Sequence, residues 1–165
     1  MKAIVVLFLS LSPVSVSYAG PEEIQGKVTA IIDGRTVEVA AQDGERYRVS
    51  LYGIDTPEVG QNYAEQARAF LEKLTLNKKV SIRLEGKDRL GNRLGRIYLR
   101  DGTDPRVEIL KAGFAWTSEK QPVPELESIR QEAKAQGKGL WADENPVPPW
   151  KWRRQQSMME PKVSS

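Results

Sequence analysis

The sequence of 165 residues contains neither cysteine nor histidine, and these two absences exclude many kinds of functional site. Without thiols, the chain forms no disulfide bond, no cysteine nucleophile and no thiolate zinc site. Without imidazoles, it has neither a Ser–His–Asp triad nor a histidine metal ligand. A metal ion must therefore be held by oxygen ligands, which favours hard cations such as calcium and magnesium. Acid–base chemistry is restricted to carboxylates, lysine, tyrosine and water assisted by arginine.

The chain also lacks a strong excess of either charge, because 25 basic and 22 acidic residues leave a net charge of +3. The N-terminal segment is typical of a secretory signal, with Lys2 before an apolar run and a small-x-small motif ending at Ala19. The apolar run is shorter than the about 20 residues that span a bilayer, and it meets Pro13. We therefore expect an exported protein, in the periplasm or outside the cell, whose affinity for nucleic acid depends on local basic patches.

Alternating and β-branched segments predict five strands, with a helix inserted after the third. Asp43-Gly44 is a favoured type I′ pair and predicts a hairpin turn. Helical periodicity predicts the inserted helix over 62–76 and two further helices over 106–113 and 124–137. This pattern favours a small, partly open barrel of the oligonucleotide/oligosaccharide-binding (OB) type, while a β-sandwich or another α+β fold remains compatible with it.

The C-terminal segment is rich in proline and then basic, and we expect it to be extended. Trp150 and Trp152 alternate there with basic residues, and docking of these tryptophans onto the domain is favoured over stacking on bases. Trp116 and Trp141 are interpreted as core or helix-packing residues. The predicted division of the chain is a signal peptide at 1–19, a barrel domain at 23–145 and a C-terminal tail at 146–165.

Six segments, taken in order, resemble the staphylococcal-nuclease (thermonuclease) family. They are DGRTVEV, LYGIDTPE, AFLEKLTLNKKV, DRLGNRLGRIYL, LKAGFAW and KGLWADENPVPPWKWRR. The collinear set extends from about Ile24 to Arg154, nearly the whole expected mature chain. The resemblance implies a mainly β, α+β fold with a five-stranded OB barrel and three helices. It also implies calcium-assisted hydrolysis of the phosphodiester bonds of DNA and RNA.

The loop after the third strand matches the family's site. By resemblance, Asp55 is a metal-ligand carboxylate, Thr56 a metal ligand through its backbone carbonyl, and Glu58 the glutamate that positions or activates water. Asp33 keeps the first acidic position of the family's Asp-Gly-Asp-Thr motif and is a further candidate metal ligand. From the residues alone, Asp-Thr-Pro is also ordinary turn chemistry, and Glu58 could be a solvated loop charge.

Three positions depart from the family's site. Arg35 stands where the family has a second metal-ligand aspartate, and Ser50 and Asn92 stand where it has phosphate-binding arginines. At about 4 Å, exchanging a carboxylate for a guanidinium disfavours a divalent cation by several kcal/mol. Loss of an arginine that stabilises transition-state charge can alone cost orders of magnitude in rate. We therefore expect nuclease activity to be weak or lost, and calcium or magnesium to be bound weakly or not at all.

A rebuilt site is the alternative. Arg93 is adjacent to one vacant arginine position, and Arg48 lies two residues before the other, on the same strand face. Either side chain could act as a relocated catalytic arginine. Asp33 and Asp55 could then hold a hydrated magnesium ion whose coordination the substrate completes.

Basic residues cluster between 83 and 100, which on an OB barrel would border the ligand face. The candidate nucleic-acid contacts are Arg35, Arg89, Arg93, Arg96 and Tyr98. A solvated strand face is an equal interpretation for the arginines, and a core position is favoured for Tyr98. The non-enzymatic hypothesis is therefore an OB module that binds single-stranded DNA, RNA or another polyanion, and we expect the chain to be a monomer.

Overall fold

The computed structural model describes residues 23–88 and 91–159. The predicted signal peptide, residues 1–19, and the candidate contact Arg89 lie outside the described residues. The strands are β1 (Glu23–Ile31), β2 (Thr36–Ala41), β3 (Arg46–Leu51), β4 (Ile54–Asp55), β5 (Lys79–Lys87), β6 (Arg93–Leu99) and β7 (Trp116–Thr117). The helices are α1 (Ala64–Thr75), α2 (Pro105–Lys111), α3 (Pro124–Ala135) and α4 (Pro149–Met159), with a 3-10 turn at Gly139–Ala142.

Five of the strands close into a barrel in the order β1-β2-β3-β6-β5, and β5 pairs back onto β1. All neighbours are antiparallel except β3 and β6, which pair in parallel with Ser50 opposite Leu94. Helix α1 stands between β3 and β5 in the chain, where the sequence predicted it. The predicted α+β class with a five-stranded OB-type barrel is confirmed.

The barrel core comes from strand alternation and from one face of α1. Val37 and Val39 are fully buried on either side of the half-buried Glu38, as a period of two requires. Ala67 and Leu71, one helical turn apart, are fully buried on α1. Burial of these apolar side chains is the main favourable contribution to folding.

The β2–β3 hairpin differs from the predicted type I′ turn. In the turn, Gly44 alone has a positive φ, of 87°, whereas type I′ requires positive φ at two central residues. The Gly44 N–H donates to the Ala41 carbonyl, and the Ala41 N–H donates to the Glu45 carbonyl. This pattern is typical of a type I turn followed by a glycine bulge, which the same Asp-Gly pair also supports.

Helix α4 corrects the prediction of an extended tail. Proline is tolerated in the first helical turn, because the N–H it lacks would have no partner there. The Pro148 carbonyl accepts from the N–H groups of Lys151 and Trp152, and the helix continues to Met159. The other three helices were predicted. No helix in the described ranges is long and apolar enough to cross a membrane.

Candidate functional site

A cavity of about 720 Å³ opens where the β1–β2 loop, β3, the loop after β4 and helix α4 meet. Its lining includes most of the residues that the family resemblance singled out, together with side chains of α4. The lining includes Leu94 and the charged and polar side chains of Asp33, Arg35, Arg48, Ser50, Asp55, Glu58, Lys87, Asp88, Asn92, Glu119, Lys120, Arg153 and Arg154. Thr56 does not line the cavity.

Asp55 lies at the centre of this site and is paired with two guanidinium groups. The short β4–β7 ladder holds it opposite Trp116, and its side chain is only 8% exposed. Its Oδ1 lies 3.3 Å from Nε of Arg35, and its Oδ2 lies 2.7 Å from Nη2 of Arg153. A buried carboxylate requires such partners, and here both of its oxygens are engaged by cations.

Arg153 connects Asp55 to Glu58. Its Nη1 donates to Glu58 Oε1 and also lies 3.4 Å from Asp55 Oδ1. Burial opposes the charged form of Arg153, but hydrogen bonds to Asp55 and Glu58 and their negative charge outweigh burial and raise its pKa. The guanidinium is therefore a permanent cation between the two carboxylates that the resemblance assigned to metal and water.

Helix α4 is positioned by aromatic packing that brings Arg153 to the cavity. The ring of Trp150 packs edge-on against Trp116, with the two centroids 5.7 Å apart. Trp152 lies beside Gly60, and Arg154 is 3.8 Å from Glu119. The predicted docking of the two tail tryptophans onto the domain is confirmed.

The tight β1–β2 loop fixes Arg35. The Asp33 side chain accepts from the Arg35 N–H at 2.8 Å, and the Arg35 carbonyl accepts from the Leu51 N–H at 2.8 Å. Gly34 is required by close approach, because a Cβ there would lie 2.9 Å from the Thr56 hydroxyl. Asp33 thus stabilises the turn that presents Arg35, and Thr56 packs beneath the loop.

The other two departures from the family's site have structural roles here. Ser50 is 2% exposed, and its hydroxyl lies 3.0 Å from that of Thr36 across β2 and β3. Asn92 donates from its N–H and its side-chain amide to the two carboxylate oxygens of Asp88, both at 2.9 Å. Neither side chain provides the charged, forked set of donors with which a guanidinium binds phosphate.

Of the two proposed relocated arginines, the structure brings only Arg48 to the cavity. Arg48 is exposed on β3 and lines the cavity beside Ser50. Arg93 does not line it, since its guanidinium lies over the ring of Tyr47, 4.4 Å from the centroid. Side chains alternate along β6, and Leu94 takes the cavity-facing position.

The candidate contacts Arg96 and Tyr98 lie away from this cavity. Arg96 is paired with Glu85 at 2.6 Å and lies over the ring of Tyr52. The favoured core position for Tyr98 is wrong, because the side chain is half-buried and lines a separate cavity of about 300 Å³ with Lys79. Strand alternation places Ile97 and Leu99, rather than Tyr98, in the core.

The residues present do not fit the divalent cation that the resemblance implies. Calcium binds six to eight oxygen ligands, and the carboxylate oxygens among them must not already be engaged by other cations or donors. Both oxygens of Asp55 face guanidinium groups, Asp33 closes a turn, and Glu58 accepts from Arg153. Within the described part of the chain, no group of three or more acidic side chains could hold a metal ion.

Sequence reasoning missed the contribution of α4 to the site. Arg153 is 98 residues from Asp55 along the chain, and no local spacing connects them. The one available signal was the basic, tryptophan-containing tail, which predicted docking onto the domain but not the surface of the domain that the tail contacts. Lys120 was also missed, whereas Lys87 belongs to the basic cluster between 83 and 100, and both side chains line the cavity.

Comparison with known proteins agrees with this architecture. The family profile for staphylococcal nuclease homologues matches residues 48–143. An uncharacterized endonuclease of Escherichia coli O157:H7 is 36% identical over 132 residues, which cover 79% of this chain and 86% of that protein. A micrococcal nuclease of Shigella flexneri is 33% identical over 143 residues, covering 80% and 82% respectively. The chain therefore belongs to the family of staphylococcal nuclease homologues.

Proposed function

We propose that this protein binds the phosphate backbone of single-stranded DNA or RNA in the cavity around Asp55, and that metal-assisted hydrolysis there is weak or lost. The observation that carries the proposal is the pairing of Asp55 with both Arg35 and Arg153. A carboxylate neutralised in this way no longer attracts a divalent cation. The cavity is instead suited to an anion.

The charges around the cavity support an anionic ligand. Each acidic side chain in its lining has a partner within the protein. Among the basic ones, Arg48, Lys87 and Lys120 have no hydrogen-bonding or ionic partner in the described part of the chain. Unpaired cations around a groove attract the phosphates of a polynucleotide and release its counterions.

The same contacts explain why hydrolysis would be weak. In-line attack on a phosphodiester builds negative charge on the phosphoryl oxygens and requires an oriented water molecule. One oxygen of Glu58, the water-positioning residue by resemblance, accepts from Arg153. Ser50 and Asn92 supply no guanidinium to the developing charge.

The second candidate function is a slow phosphodiesterase that uses a relocated arginine. Arg48 supports it, since it lines the cavity and has no ionic partner within the described ranges. Arg93 does not support it, because its guanidinium lies on Tyr47. Relatives of this chain are named endonuclease and nuclease, so the cleavage assay tests this candidate as well.

Incubation of the purified protein with single-stranded DNA and RNA, in calcium, magnesium or EDTA, separates the two functions. The proposal expects full-length strands in all three conditions and retention of the strand that weakens as salt rises. Glu58→Gln is the matched control for catalysis. Metal-dependent cleavage that disappears in Glu58→Gln would establish the enzyme and contradict the binding function.

A further inference from the structure

The side chain of Arg153 occupies a specific place among the acidic residues of the cavity. Its guanidinium lies between Asp55 and Glu58, the two carboxylates that the family resemblance assigns to the metal and to the attacking water. It is brought there by a helix that packs onto the domain through Trp150 and Trp116.

We propose that the Arg153 guanidinium is the resident cation of this site and takes the place of a divalent metal. The site would then be electrostatically complete without metal, and its binding of phosphate would be independent of calcium and magnesium. The ligand class rests on the proposed function, but the exclusion of divalent cations does not.

The geometry of the contacts favours a built-in ion pair over an incidental surface contact. The Nη2 and Nη1 atoms of Arg153 lie 2.7 Å and 3.4 Å from the two carboxylate oxygens of Asp55, and Nη1 also donates to Glu58. The planar fork of arginine matches a carboxylate in this bidentate manner. The Asp55 side chain is 8% exposed and that of Arg153 is 45% exposed, so solvent screens this pair less than a pair in which both partners are exposed.

Arg35 completes the charge balance. Two carboxylates, Asp55 and Glu58, face two guanidiniums, so the central group carries no net charge before any ligand binds. Arg35 uses only its Nε on Asp55, and its two terminal nitrogens have no hydrogen-bond partner in the described ranges. Those nitrogens are available to a phosphate oxygen, which Arg recognises with fixed donor geometry.

The proposal predicts how divalent cations affect thermal stability. A ligand that binds only the folded state raises the melting temperature, and the rise grows with the logarithm of the ligand concentration above its dissociation constant. The wild-type protein should therefore melt at the same temperature in calcium chloride and in sodium chloride of equal ionic strength. The Arg153 variants are made in an Arg35→Asp background, because Arg35 alone would still repel a divalent cation from Asp55. There, Arg153→Gln leaves Asp55 and Glu58 without a cation, and calcium should raise the melting temperature by about 3 °C or more.

Two further variants complete the experiment. Arg153→Met is a second neutral variant that keeps an apolar stem, and it should gain the same calcium response. Lys151→Gln removes a charge from an exposed position of α4 outside the cavity lining, and it should behave as wild type. Circular dichroism at low temperature establishes that each variant is folded.

The proposal would be overturned if calcium specifically raised the melting temperature of the wild-type protein and Glu58→Gln removed that rise. This comparison requires no Arg153 variant. Folded Arg153→Gln and Arg153→Met proteins without any calcium response would also overturn it. Because no nucleic acid is present, failure here is distinct from failure of the proposed function, which the cleavage and retention assay measures.

Discussion

Asp55 is the residue whose surroundings decide the chemistry of this site. In a metal-dependent site its carboxylate would need free oxygen lone pairs, yet Arg35 and Arg153 engage both of its oxygens. Arg35 is held by backbone contacts and by the Asp33 carboxylate, so its direction is set by the loop. The loop backbone therefore holds the arginine at position 35 in a fixed place beside Asp55.

Gly34 allows the loop that carries Arg35 to approach α1. A Cβ at this position would lie 2.8 Å from Ala67 Cβ and 2.9 Å from the Thr56 hydroxyl. We expect Gly34→Ala to lower the free energy of unfolding by about 1–3 kcal/mol, because packed backbone and side chains must shift. Urea denaturation measures the loss. In an Ala67→Gly background the added cost should be smaller, and an unchanged cost would contradict this packing explanation.

Glu127 ties helix α3 to the ladder that contains Asp55. Hydrogen bonds from Arg130, and then from Thr117 and Gln131, lower its pKa from an ordinary 4.5 to about 2. A lowered pKa means stability that is fully present above about pH 4.5 and is lost as the pH falls towards 2. Glu127→Gln should cost about 1 kcal/mol at neutral pH, after allowance for solvent screening, and almost nothing near pH 2.

Melting temperatures of wild-type and Glu127→Gln proteins across this pH range test the prediction. Glu132→Gln is the matched control, because Glu132 is exposed on the same helix and accepts from the neutral amide of Gln136 rather than from an arginine. A difference between Glu127→Gln and wild type that stays constant down to the lowest pH would contradict the assignment.

At the residue scale, the sequence identified the three positions that depart from the family's site but not the Arg153 cation that lies between Asp55 and Glu58. Arg35, Ser50 and Asn92 could be recognised as departures because each occupies a fixed place in a motif. Arg153 could not, because its contact with Asp55 depends on packing between segments 98 residues apart. A candidate such as Arg93 also appeared plausible until strand alternation placed it on Tyr47.

Among the elements, α4 separates this structure most clearly from its prediction. The prolines before α4 favoured the prediction of an extended segment. Proline is also common at the first position of a helix, and the prediction gave this preference less weight. The five barrel strands and the other three helices followed from periodicity and glycine punctuation, which are local signals. The two-residue strands β4 and β7 were not predicted, because their pairing joins segments that are distant along the chain. Where α4 docks is a tertiary property, set by Trp116 and the loop around Gly60.

Trp150 is the side chain that we expect to hold α4 in place. Trp150→Ala removes its edge-on contact with Trp116 and should lower the free energy of unfolding by about 2 kcal/mol. The helix should also loosen locally, so that trypsin cleaves faster after Lys151, Arg153 and Arg154. Met158→Ala is the control, because Met158 is 81% exposed. Equal cleavage rates for Trp150→Ala and wild type would show that another contact holds the helix.

At the scale of the whole molecule, the barrel is that of the family and the site is not. The fold brings a loop, a strand and a distant helix to one cavity. The carboxylates in that cavity are engaged by groups of the protein itself, whereas Arg48, Lys87 and Lys120 have no ionic partner in the described ranges. The scaffold should consequently regain catalysis when the departures are reversed together.

The combined variant Arg35→Asp, Ser50→Arg and Asn92→Arg tests this expectation. Arg153 would still lie between Asp55 and Glu58, so we expect strong calcium-dependent cleavage only after Arg153→Gln is added. The gain over wild type should reach at least about 100-fold, the typical cost of losing a single group that stabilises transition-state charge. Equal rates for the triple and the quadruple variant would show that Arg153 does not compete with the metal.

The central claim is that this site binds phosphate without a metal ion. Fluorescence anisotropy of a labelled single-stranded oligonucleotide, titrated with the protein in EDTA and in calcium at equal ionic strength, tests it most directly. The account predicts the same dissociation constant in both buffers. It also predicts a salt dependence whose slope falls by about 0.7 for each of Lys87→Gln and Lys120→Gln. Binding that requires calcium, or a labelled strand that shortens during the titration, would contradict it.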